Sequence, residues 1–482
     1  MMENIITNEN MTFDAVIIGA GLTGLSTAYF LTRKGAKVLV IEEQNRIGGQ
    51  ISTHRGGRNG EFVFESGPNT GVLSYPEVVE LFQELSPLCT LATAHEEAKK
   101  RLIWKGNRFH ALPSNPKDAV MTPLFSFADK LRILGEPLRK RGTNPDETVA
   151  QLAARRLGKS FVDYAVDPFL SGVYAGDPNR LVTRYALPKL YNLEQNYGSF
   201  IKGTIAKARE PKSDRDRLAT KKVFSADGGL SNLAEAMAEK TGRENIITGA
   251  AGCRITPTDF SIVDNISTSN QTRGNWFVSY THNGTTYRVA TQNVVTTTGS
   301  YRLRELLPFA GSNIMNDVDN LTYAPVIQVA VGYNDVPLPD FRVFGGLIPS
   351  CEKQDILGIL NPSACFDGRA PHNGNMLAVF MGGVRHSELI DENDTKIEEI
   401  VCRNMNKMLG VNKAPDLIQI FRHKKAIPQY EITSGRRYAA IDKLENKYKG
   451  LYIKGNLCGG IGMADRIHQA YTTSESISGN HI

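Results

Sequence analysis

The hydrophobic pattern near the start of the chain predicts a strand, a helix and a second strand. Residues 15–18 are an apolar run, residues 22–33 carry apolar positions at helical spacing, and residues 38–41 are a second apolar run. Short apolar runs of this kind are typical of buried parallel strands, which need a crossover helix between them. Residues 15–42 therefore predict one βαβ unit.

The rest of the chain alternates between helical and strand-forming segments. Residues 126–203 have apolar positions at helical spacing, and Asp146 or Thr148 is predicted to cap one of their helices. Residues 100–113 alternate on either side of a Lys-Gly-Asn turn and predict a β-hairpin. Further helices are predicted at 78–88 and 225–238, and strands within 245–299 and 323–383.

Three glycines follow the first predicted strand at the spacing G-x-G-x-x-G. Gly19 permits a tight turn, Gly21 lets a pyrophosphate approach the backbone, and Gly24 lets the helix pack close to the strand. The N-terminus of the helix attracts phosphate through its free N–H groups and its dipole. Glu42 closes the second strand, where its carboxylate can accept hydrogen bonds from a ribose. The unit therefore predicts a bound dinucleotide without a 2′-phosphate.

The residues after Glu42 point to FAD. Residues 42–49 read E-x-x-x-R-x-G-G, the run Gly67 to Thr70 follows, and residues 451–477 give a strand, a glycine-rich turn and a helix. These segments resemble the two-domain FAD oxidases, in which the C-terminal segment passes beneath the flavin ring. The resemblance implies one FAD site built from both ends of the chain. Its predicted residues are Gly19, Gly21, Gly24, Glu42, Glu43, Arg46, Gly48, Gly49, Gly67, Pro68, Asn69, Thr70, Gly455, Gly460, Ile461, Gly462 and Met463.

Composition is that of a large globular protein. A chain of 482 residues exceeds the usual size of a single hydrophobic core, so two or three domains are expected. No apolar run approaches the ~20 residues of a membrane-spanning helix, and the first ten residues are too polar for a secretory signal. We therefore expect a cytoplasmic protein, with peripheral attachment to a membrane left open.

Charge and histidine placement exclude several other function classes. The net charge of +6 is mild, and the basic residues do not form a patch with aromatic residues, so nucleic acid is not an expected partner. Residues 202–222 are highly charged with mixed sign and are predicted to be a solvated loop. His110, His386 and His423 have no partners at metal-ligand or triad spacing, so neither a metal site nor a catalytic histidine is predicted.

Four further segments resemble the protoporphyrinogen oxidase family. They are residues 101–116, residues 167–181 with the run GVYAGDP, residues 345–360 with 378–383, and residues 427–437. Together with the flavin segments, the resemblance runs in order across nearly the whole chain. It implies oxidation of protoporphyrinogen IX to protoporphyrin IX in haem biosynthesis, by hydride transfer to FAD with oxygen as the acceptor.

The same resemblance implies a substrate site. Arg101 matches the position where the family pairs an arginine with a propionate, a task that suits the two-donor fork of a guanidinium. Leu102 replaces the aromatic residue that often follows this arginine. Two leucines and a phenylalanine match the apolar walls, and two glycines match positions that leave room for the ring. The predicted substrate-binding residues are Arg101, Gly172, Gly176, Leu347, Leu360 and Phe380.

Three alternatives stay open on the sequence alone. A flavin amine oxidase would share both cofactor segments, but such enzymes usually place an aromatic pair beside the flavin, and the neighbours of Cys458 and Met463 include no Tyr or Trp. A non-catalytic porphyrin-binding protein would keep the fold without using the flavin. Oxidation of coproporphyrinogen III to coproporphyrin III is the same reaction on a substrate with four carboxylates instead of two, and the net charge does not choose between them.

The sequence therefore predicts an α/β fold in three parts. A Rossmann-like FAD domain combines residues 11–95, 222–300 and 430–482, a substrate domain with an antiparallel sheet combines 96–116 and 301–429, and a helical insertion covers 117–221. The expected partners are a porphyrinogen and oxygen. Contact with a membrane, a homodimer and transfer of the product to a chelatase are left open.

Overall fold

The computed structural model describes residues 5–258 and 275–479. Its strands are β1 (Ile5–Ile18), β2 (Val38–Ile41), β3 (Thr53–Gly56), β4 (Phe62–Glu65), β5 (Gly71–Val72), β6 (Leu91–Thr93), β7 (Arg101–Lys105), β8 (Arg108–Ala111), β9 (Val223–Ala226), β10 (Ile246–Ile247), β11 (Ala251–Pro257), β12 (Trp276–His282), β13 (Thr285–Thr296), β14 (Tyr323–Tyr333), β15 (Gly345–Leu347), β16 (Gly358–Leu360), β17 (Asn375–Gly382), β18 (Leu417–Pro428) and β19 (Leu451–Ile453).

Helices connect these strands and form one long block between β8 and β9. They are α1 (Leu22–Arg33), α2 (Pro76–Leu85), α3 (Pro116–Met121), α4 (Phe127–Leu134), α5 (Val149–Arg156), α6 (Lys159–Phe161), α7 (Asp167–Tyr174), α8 (Thr183–Ala186), α9 (Pro188–Tyr197), α10 (Phe200–Ala208), α11 (Asp214–Arg217), α12 (Ser231–Thr241), α13 (Ser300–Leu306), α14 (Ser312–Asp319), α15 (Pro362–Cys365), α16 (Asp394–Leu409), α17 (Ser434–Lys447) and α18 (Met463–Gly479).

The first sheet contains the predicted βαβ unit. Its strand order is β10-β2-β1-β13-β12-β11, with β19 also paired to β13, and β1 runs parallel to β2 and β13. Side chains of β1 alternate between two cores, because successive residues of a strand point to opposite faces. Ala15 and Ile17 pack with α1, α12 and α18, whereas Val16 and Ile18 pack with α13, α14 and α17. Helices therefore cover both faces of this sheet.

The second sheet has the strand order β18-β14-β17-β16-β15-β7-β8 and is antiparallel except where β15 meets β7. Helix α16 covers one face by burying Ile397, Val401 and Met405. The predicted hairpin at 100–113 is β7 and β8, which pair antiparallel. The predicted α/β class, with a Rossmann-like unit and an antiparallel sheet, is confirmed. The domain boundaries themselves stay a prediction.

Helices α3 to α11 form the block predicted as a helical insertion. Thr148 caps α5, because its hydroxyl accepts the N–H of Gln151 at 3.2 Å while the Gln151 side chain accepts the N–H of Thr148 at 3.0 Å. Inside the block, the fully buried Arg156 pairs with the carboxylates of Glu136 and Glu194. A buried cation needs such partners, since moving a charge from water into the protein interior without a partner is costly.

Two local predictions are wrong. Residues 202–222 are not a continuous loop, because α10 continues to Ala208 and Ser213 caps the short α11 in a reciprocal pair with Asp216. The predicted helix at 225–238 begins only at Ser231, since residues 223–226 form β9 between β5 and β6. Part of the predicted strand region 245–299 falls on residues 259–274, which lie outside the described residues.

Candidate active site

The turn between β1 and α1 shows why glycine is needed there. Gly19 has a φ of +104°, which residues with a side chain rarely adopt. A Cβ added at Gly24 would overlap the carbonyl oxygen of Gly19, so the close approach of helix and strand is present. Gly21 is the N-cap residue of α1 and, with Leu22, lines a cleft. The helix N-terminus is therefore available to a phosphate.

Glu42 follows β2 and is almost buried. Its carboxylate accepts hydrogen bonds from the N–H groups of Ala20 at 2.7 Å and Gln44 at 2.8 Å, which fixes it beside the glycine turn. Each carboxylate oxygen has a further lone pair that can accept a hydrogen bond from a ribose. The ribose contact itself stays a prediction. Glu43 is exposed at the edge of the cleft, and its carboxylate pairs with Arg302.

Arg46 holds its own loop in place, and its predicted contact with the cofactor stays a prediction. Its guanidinium donates to the carbonyl oxygens of Gly49 at 2.6 Å and Ile51 at 3.1 Å, and its side chain does not line the cleft. The N–H of Gly48 donates to Ala20 O at 2.8 Å in the same loop. Arg46 therefore holds this loop against the glycine turn, because its donors are used by the loop's own carbonyl groups.

One cleft runs from the glycine turn to the second sheet. Its volume is about 1480 Å³, which exceeds the ~300–1,000 Å³ of most small-molecule sites and leaves room for a dinucleotide with a second ligand. The predicted residues that line it are Gly19, Gly21, Glu42, Glu43, Gly48, Gly49, Gly67, Pro68, Asn69, Thr70, Arg101, Gly172, Leu347, Leu360, Phe380, Gly455, Gly460, Ile461, Gly462 and Met463.

The middle of the cleft suits a flavin nucleotide. Gly455 and Gly460 both have a φ of +102°, and a Cβ at Gly455 would lie 3.2 Å from the carbonyl oxygen of Thr297. Glycine is therefore needed at both positions for the backbone conformation, and at Gly455 also for the close approach to the Thr297 backbone. The buried hydroxyl of Thr298 lines the cleft and has no hydrogen-bond partner among the described residues. Buried hydroxyls are normally hydrogen-bonded, so a polar ligand fits here.

Arg101 stands at the far end of the cleft, at the start of β7. Its guanidinium carbon lies 5.2 Å from the centroid of the Phe344 ring, and within residues 5–258 and 275–479 no carboxylate forms an ion pair with it. The side chain opens onto the cleft, but protein atoms surround much of it and reduce its contact with water. This desolvation lowers the pKa of the Arg101 guanidinium. An unpaired cation in a partly dry cleft favours an anionic ligand.

The two predicted substrate-site glycines are not spaces for a ring. A Cβ at Gly172 would overlap the Leu347 side chain, so Gly172 makes room for Leu347 although it also lines the cleft. Gly176 does not line the cleft, and its added Cβ would lie 2.5 Å from Gln429 Oε1 and 3.0 Å from Leu181. The role predicted for Gly176 is therefore wrong, because the loop turns away from the cleft after Ala175.

The prediction that no aromatic residue lies near the C-terminal glycine turn is also wrong. The hydroxyl of Tyr430 lies 2.7 Å from the carbonyl oxygen of Asn456 and 2.9 Å from that of Gly460, so its single proton is shared between them. Burial raises the pKa of Tyr430 well above the usual value. Tyr438 lines the cleft itself. Both tyrosines come from residues 430–438, so the neighbours of Cys458 along the sequence do not reveal them. This feature therefore does not separate the chain from amine oxidases.

Sequence reasoning missed two polar residues of the cleft wall, Gln328 on β14 and His423 on β18. His423 is half-buried, and its Nε2 lies 2.6 Å from the carbonyl oxygen of Ser66. No local signal reveals this contact, because it depends on pairing between β14 and β18 and on how that pair meets the end of β4.

Comparison with known proteins places the chain in a family. The sequence model described as flavin containing amine oxidoreductase matches residues 22–477. The chain belongs to this family. It is therefore an FAD-dependent oxidoreductase, and the prediction of FAD as its cofactor is confirmed.

Curated relatives narrow the resemblance further. The chain is 28% identical over 478 residues to protoporphyrinogen oxidase 2, chloroplastic/mitochondrial, of Arabidopsis thaliana, covering 94% of this chain and 91% of that protein. It is 30% identical over 474 residues to protoporphyrinogen oxidase of Bos taurus, covering 91% and 94%. Among solved structures, reduced UDP-galactopyranose mutase shares the fold with a TM-score of 0.71 at 16% identity, covering 97% of this chain and 96% of that one. The predicted resemblance to protoporphyrinogen oxidases is confirmed.

Proposed function

We propose that this protein oxidises protoporphyrinogen IX to protoporphyrin IX, with oxygen as the final electron acceptor, in haem biosynthesis. The observation that carries the proposal is one continuous cleft, which runs from the nucleotide-binding turn to the apolar side chains of α7 and β15 to β17. Arg101, which has no ion pair among the described residues, stands at its edge. The names of curated relatives that match this chain over more than nine-tenths of its length support the same activity.

The chemistry divides between the cofactor and the chain. Bound FAD supplies a two-electron acceptor that oxygen can reoxidise, and three cycles remove six hydrogen atoms from one porphyrinogen while three O₂ become three H₂O₂. The chain's part is to place a bridging carbon of the macrocycle in reach of the cofactor and to exclude water. Leu347, Leu360 and Phe380 form apolar walls for this purpose, and Arg101 fixes the orientation by binding a propionate.

The apolar lining at one end of the cleft favours protoporphyrinogen over coproporphyrinogen. We call the part of the cleft formed by α7 and β15 to β17 the apolar compartment. A substrate with carboxylates on one edge and apolar groups on the other matches Arg101 on one side and this compartment on the other. The walls of this compartment carry no cationic side chain among the described residues, so burying two further carboxylates inside it would be costly. The compartment's lining residues are Phe169, Gly172, Val173, Tyr174, Ala175, Gly345, Gly346, Leu347, Leu357, Gly358, Ile359, Leu360 and Phe380.

The test uses the purified protein loaded with FAD. Each porphyrinogen is added in air, and porphyrin fluorescence and peroxide are followed together. We expect protoporphyrinogen IX to react with the higher kcat/KM and peroxide to form at three per porphyrin. Faster oxidation of coproporphyrinogen III would replace the proposed substrate, and peroxide release with amines but not with porphyrinogens would replace the proposed reaction.

We also propose that the surface of α3, α4 and the turn after them attaches the protein to an anionic membrane surface. Helix α4 buries none of its residues, and no helix of the described chain is long and apolar enough to cross a bilayer. Lys117, Lys130 and Arg132 lie on the same segment, and basic residues beside exposed apolar ones suit an anionic lipid surface. A cytoplasmic location stays a prediction. The exposed apolar residues are Val120, Met121, Phe127, Leu131, Leu134 and Leu138.

A further inference from the structure

Two side chains of the second sheet hold the end of β4, which leads into the predicted FAD-binding run from Gly67 to Thr70. Gln328 Nε2 donates to the carbonyl oxygen of Glu65 at 2.6 Å. His423 Nε2 lies 2.6 Å from the carbonyl oxygen of Ser66 and donates to it, since a carbonyl oxygen only accepts. The two carbonyl groups are consecutive, and the next residue is Gly67.

Strand pairing brings these two donors together. Gln328 stands opposite Phe421, and Val326 stands opposite His423. His423 is therefore a diagonal neighbour of Gln328 on the same face of the sheet, because residues two apart on a strand share a face. Gln328 is only 2% exposed, so its amide has little access to water and depends on this contact.

A bulge in β18 places the His423 ring at the edge of the cleft. Ala324 pairs with Ile427 and Val326 pairs with His423, so residues 424–426 stand opposite Pro325 alone. Proline has no N–H to offer the neighbouring strand, and bulges redirect side chains beside active sites. His423 is thus the last paired residue before the ladder breaks, and its ring turns towards the end of β4.

The other side of the same strand end is fixed as well. The Glu65 carboxylate accepts hydrogen bonds from Thr53 Oγ1 at 2.7 Å and from the N–H of Leu230 at 2.9 Å, and it pairs with the buried Arg369. The strand that leads to Gly67 is therefore held by its side chain from one direction and by its carbonyl oxygens from the other. The run from Gly67 to Thr70, which lines the cleft, begins directly after this fixed point.

We infer that Gln328 and His423 are positioning residues that set the Gly67–Thr70 run against the bound FAD. They act through the carbonyl oxygens of residues 65 and 66, without contact with the flavin being required. The inference rests on FAD as the cofactor and is independent of which porphyrinogen, or any porphyrinogen, is the substrate. The second sheet therefore supports the cofactor site in addition to forming part of the apolar compartment.

The test compares His423→Leu, which removes the donor, with His423→Gln, which keeps an N–H donor. We measure the visible absorbance and circular dichroism of bound FAD, its midpoint potential, and the dissociation constant of FAD from the apoprotein. His423→Leu is expected to shift the flavin bands and the potential and to raise the dissociation constant about three- to tenfold, whereas His423→Gln restores values near wild type. The exposed His386 provides the matched control, and His386→Leu should change none of these quantities.

A second variant keeps the test decisive if His423→Leu is poorly folded. Gln328→Met replaces the amide with an apolar side chain of similar size and should shift the flavin bands in the same direction. Flavin bands, potential and FAD affinity that stay at wild-type values in both folded variants would overturn the inference. A wild-type protein that does not oxidise porphyrinogens, together with shifted flavin bands in both variants, would count against the proposed function and leave this inference standing.

Discussion

The guanidinium of Arg101 lies against the face of the Phe344 ring, with 5.2 Å between its central carbon and the ring centroid. Phe344 comes from the segment just before β15, whose Gly345 pairs with Arg101. The ring supports the flat cation from one side and leaves its donors free for a carboxylate in the cleft.

Replacement of Arg101 should weaken substrate binding more than it slows the reaction. Arg101→Ala removes a two-donor contact with a carboxylate, and charge-assisted hydrogen bonds of this kind correspond to about a ten- to hundredfold rise in KM for protoporphyrinogen. Arg101→Lys should recover part of the loss because it keeps the charge without the fork. Steady-state kinetics measure both constants. A normal KM with a low kcat in Arg101→Ala would contradict the assigned contact.

Addition of one methyl group at Gly24 should abolish FAD binding. The new Cβ would overlap the carbonyl oxygen of Gly19, which forces α1 away from β1 and disturbs the phosphate-binding turn. The flavin content of purified Gly24→Ala measures the effect. Gly135→Ala is the matched control, because its Cβ would meet nothing closer than 3.6 Å and its φ of −77° is ordinary. Full flavin content in Gly24→Ala would show that the turn tolerates the displacement.

Removal of the buried cation of the helical insertion should destabilise the protein. Arg156→Met leaves the buried Glu136 carboxylate without its cation and leaves Glu194 with Arg155 alone, which corresponds to about 3–5 kcal/mol. Urea unfolding followed by far-ultraviolet circular dichroism measures the loss. The exposed pair of Arg217 and Asp214 provides the comparison, and Arg217→Met should change the unfolding free energy by less than about 0.5 kcal/mol. Equal losses in the two variants would refute the role of burial.

Glu77 should make stability depend on acid. Burial alone raises its pKa, but hydrogen bonds from His468, from its own backbone N–H and from Arg215 outweigh burial and lower the pKa to about 2. A carboxyl whose pKa is lower in the folded state stabilises it above the unfolded pKa of about 4.5, and this stabilisation is lost as pH falls towards 2. Wild type should therefore exceed Glu77→Gln in unfolding free energy by about 1–2 kcal/mol at pH 7, because solvent around the exposed side chains of Arg215 and His468 screens part of the interaction.

The difference between wild type and Glu77→Gln should shrink as the pH falls below about 4.5. Unfolding curves taken at several pH values between 7 and 3.5 measure it. Glu239→Gln serves as the control, since this carboxylate is exposed and pairs with the exposed Arg243. A difference that is constant over this pH range would show that the charge of Glu77 is not the source of the stabilisation.

Charge placed on α4 should release the protein from membranes. Leu131 and Leu134 are 53% and 71% exposed, so replacing both with glutamate removes apolar contact and adds repulsion from anionic lipid without disturbing a core. Co-sedimentation with vesicles containing phosphatidylglycerol should fall at least about tenfold. Ile205→Glu, on the exposed surface of α10, should bind as wild type does. Unchanged sedimentation of the double variant would place the attachment elsewhere.

Local sequence patterns were sufficient for the nucleotide-binding end of the site. The spacing of Gly19, Gly21 and Gly24 reports a backbone requirement that any sequence with this turn must meet, and the structure has the positive φ and the close approach. The capping of α5 by Thr148 was predictable for the same reason, since both partners lie within one helical turn.

The rest of the site depends on contacts between distant segments. Phe344 reaches Arg101 only through the pairing of β15 with β7, and Tyr430 reaches Gly460 only because the end of β18 runs beside the C-terminal turn. Gly176 was misassigned because its position in a family motif does not reveal that Gln429 and Leu181 occupy its open side. Single-sequence reasoning has no access to such pairings, and these residues therefore required the structure.

Anaerobic mixing of the FAD-loaded protein with protoporphyrinogen IX tests the central claim most directly. Without oxygen the flavin absorbance should bleach within the turnover time, because one FAD accepts two of the six electrons. When air is admitted, protoporphyrin fluorescence should develop over the remaining cycles and the oxidised flavin should recover fully. Flavin that stays oxidised with protoporphyrinogen IX, in protein whose FAD is still reducible by dithionite, would contradict the account.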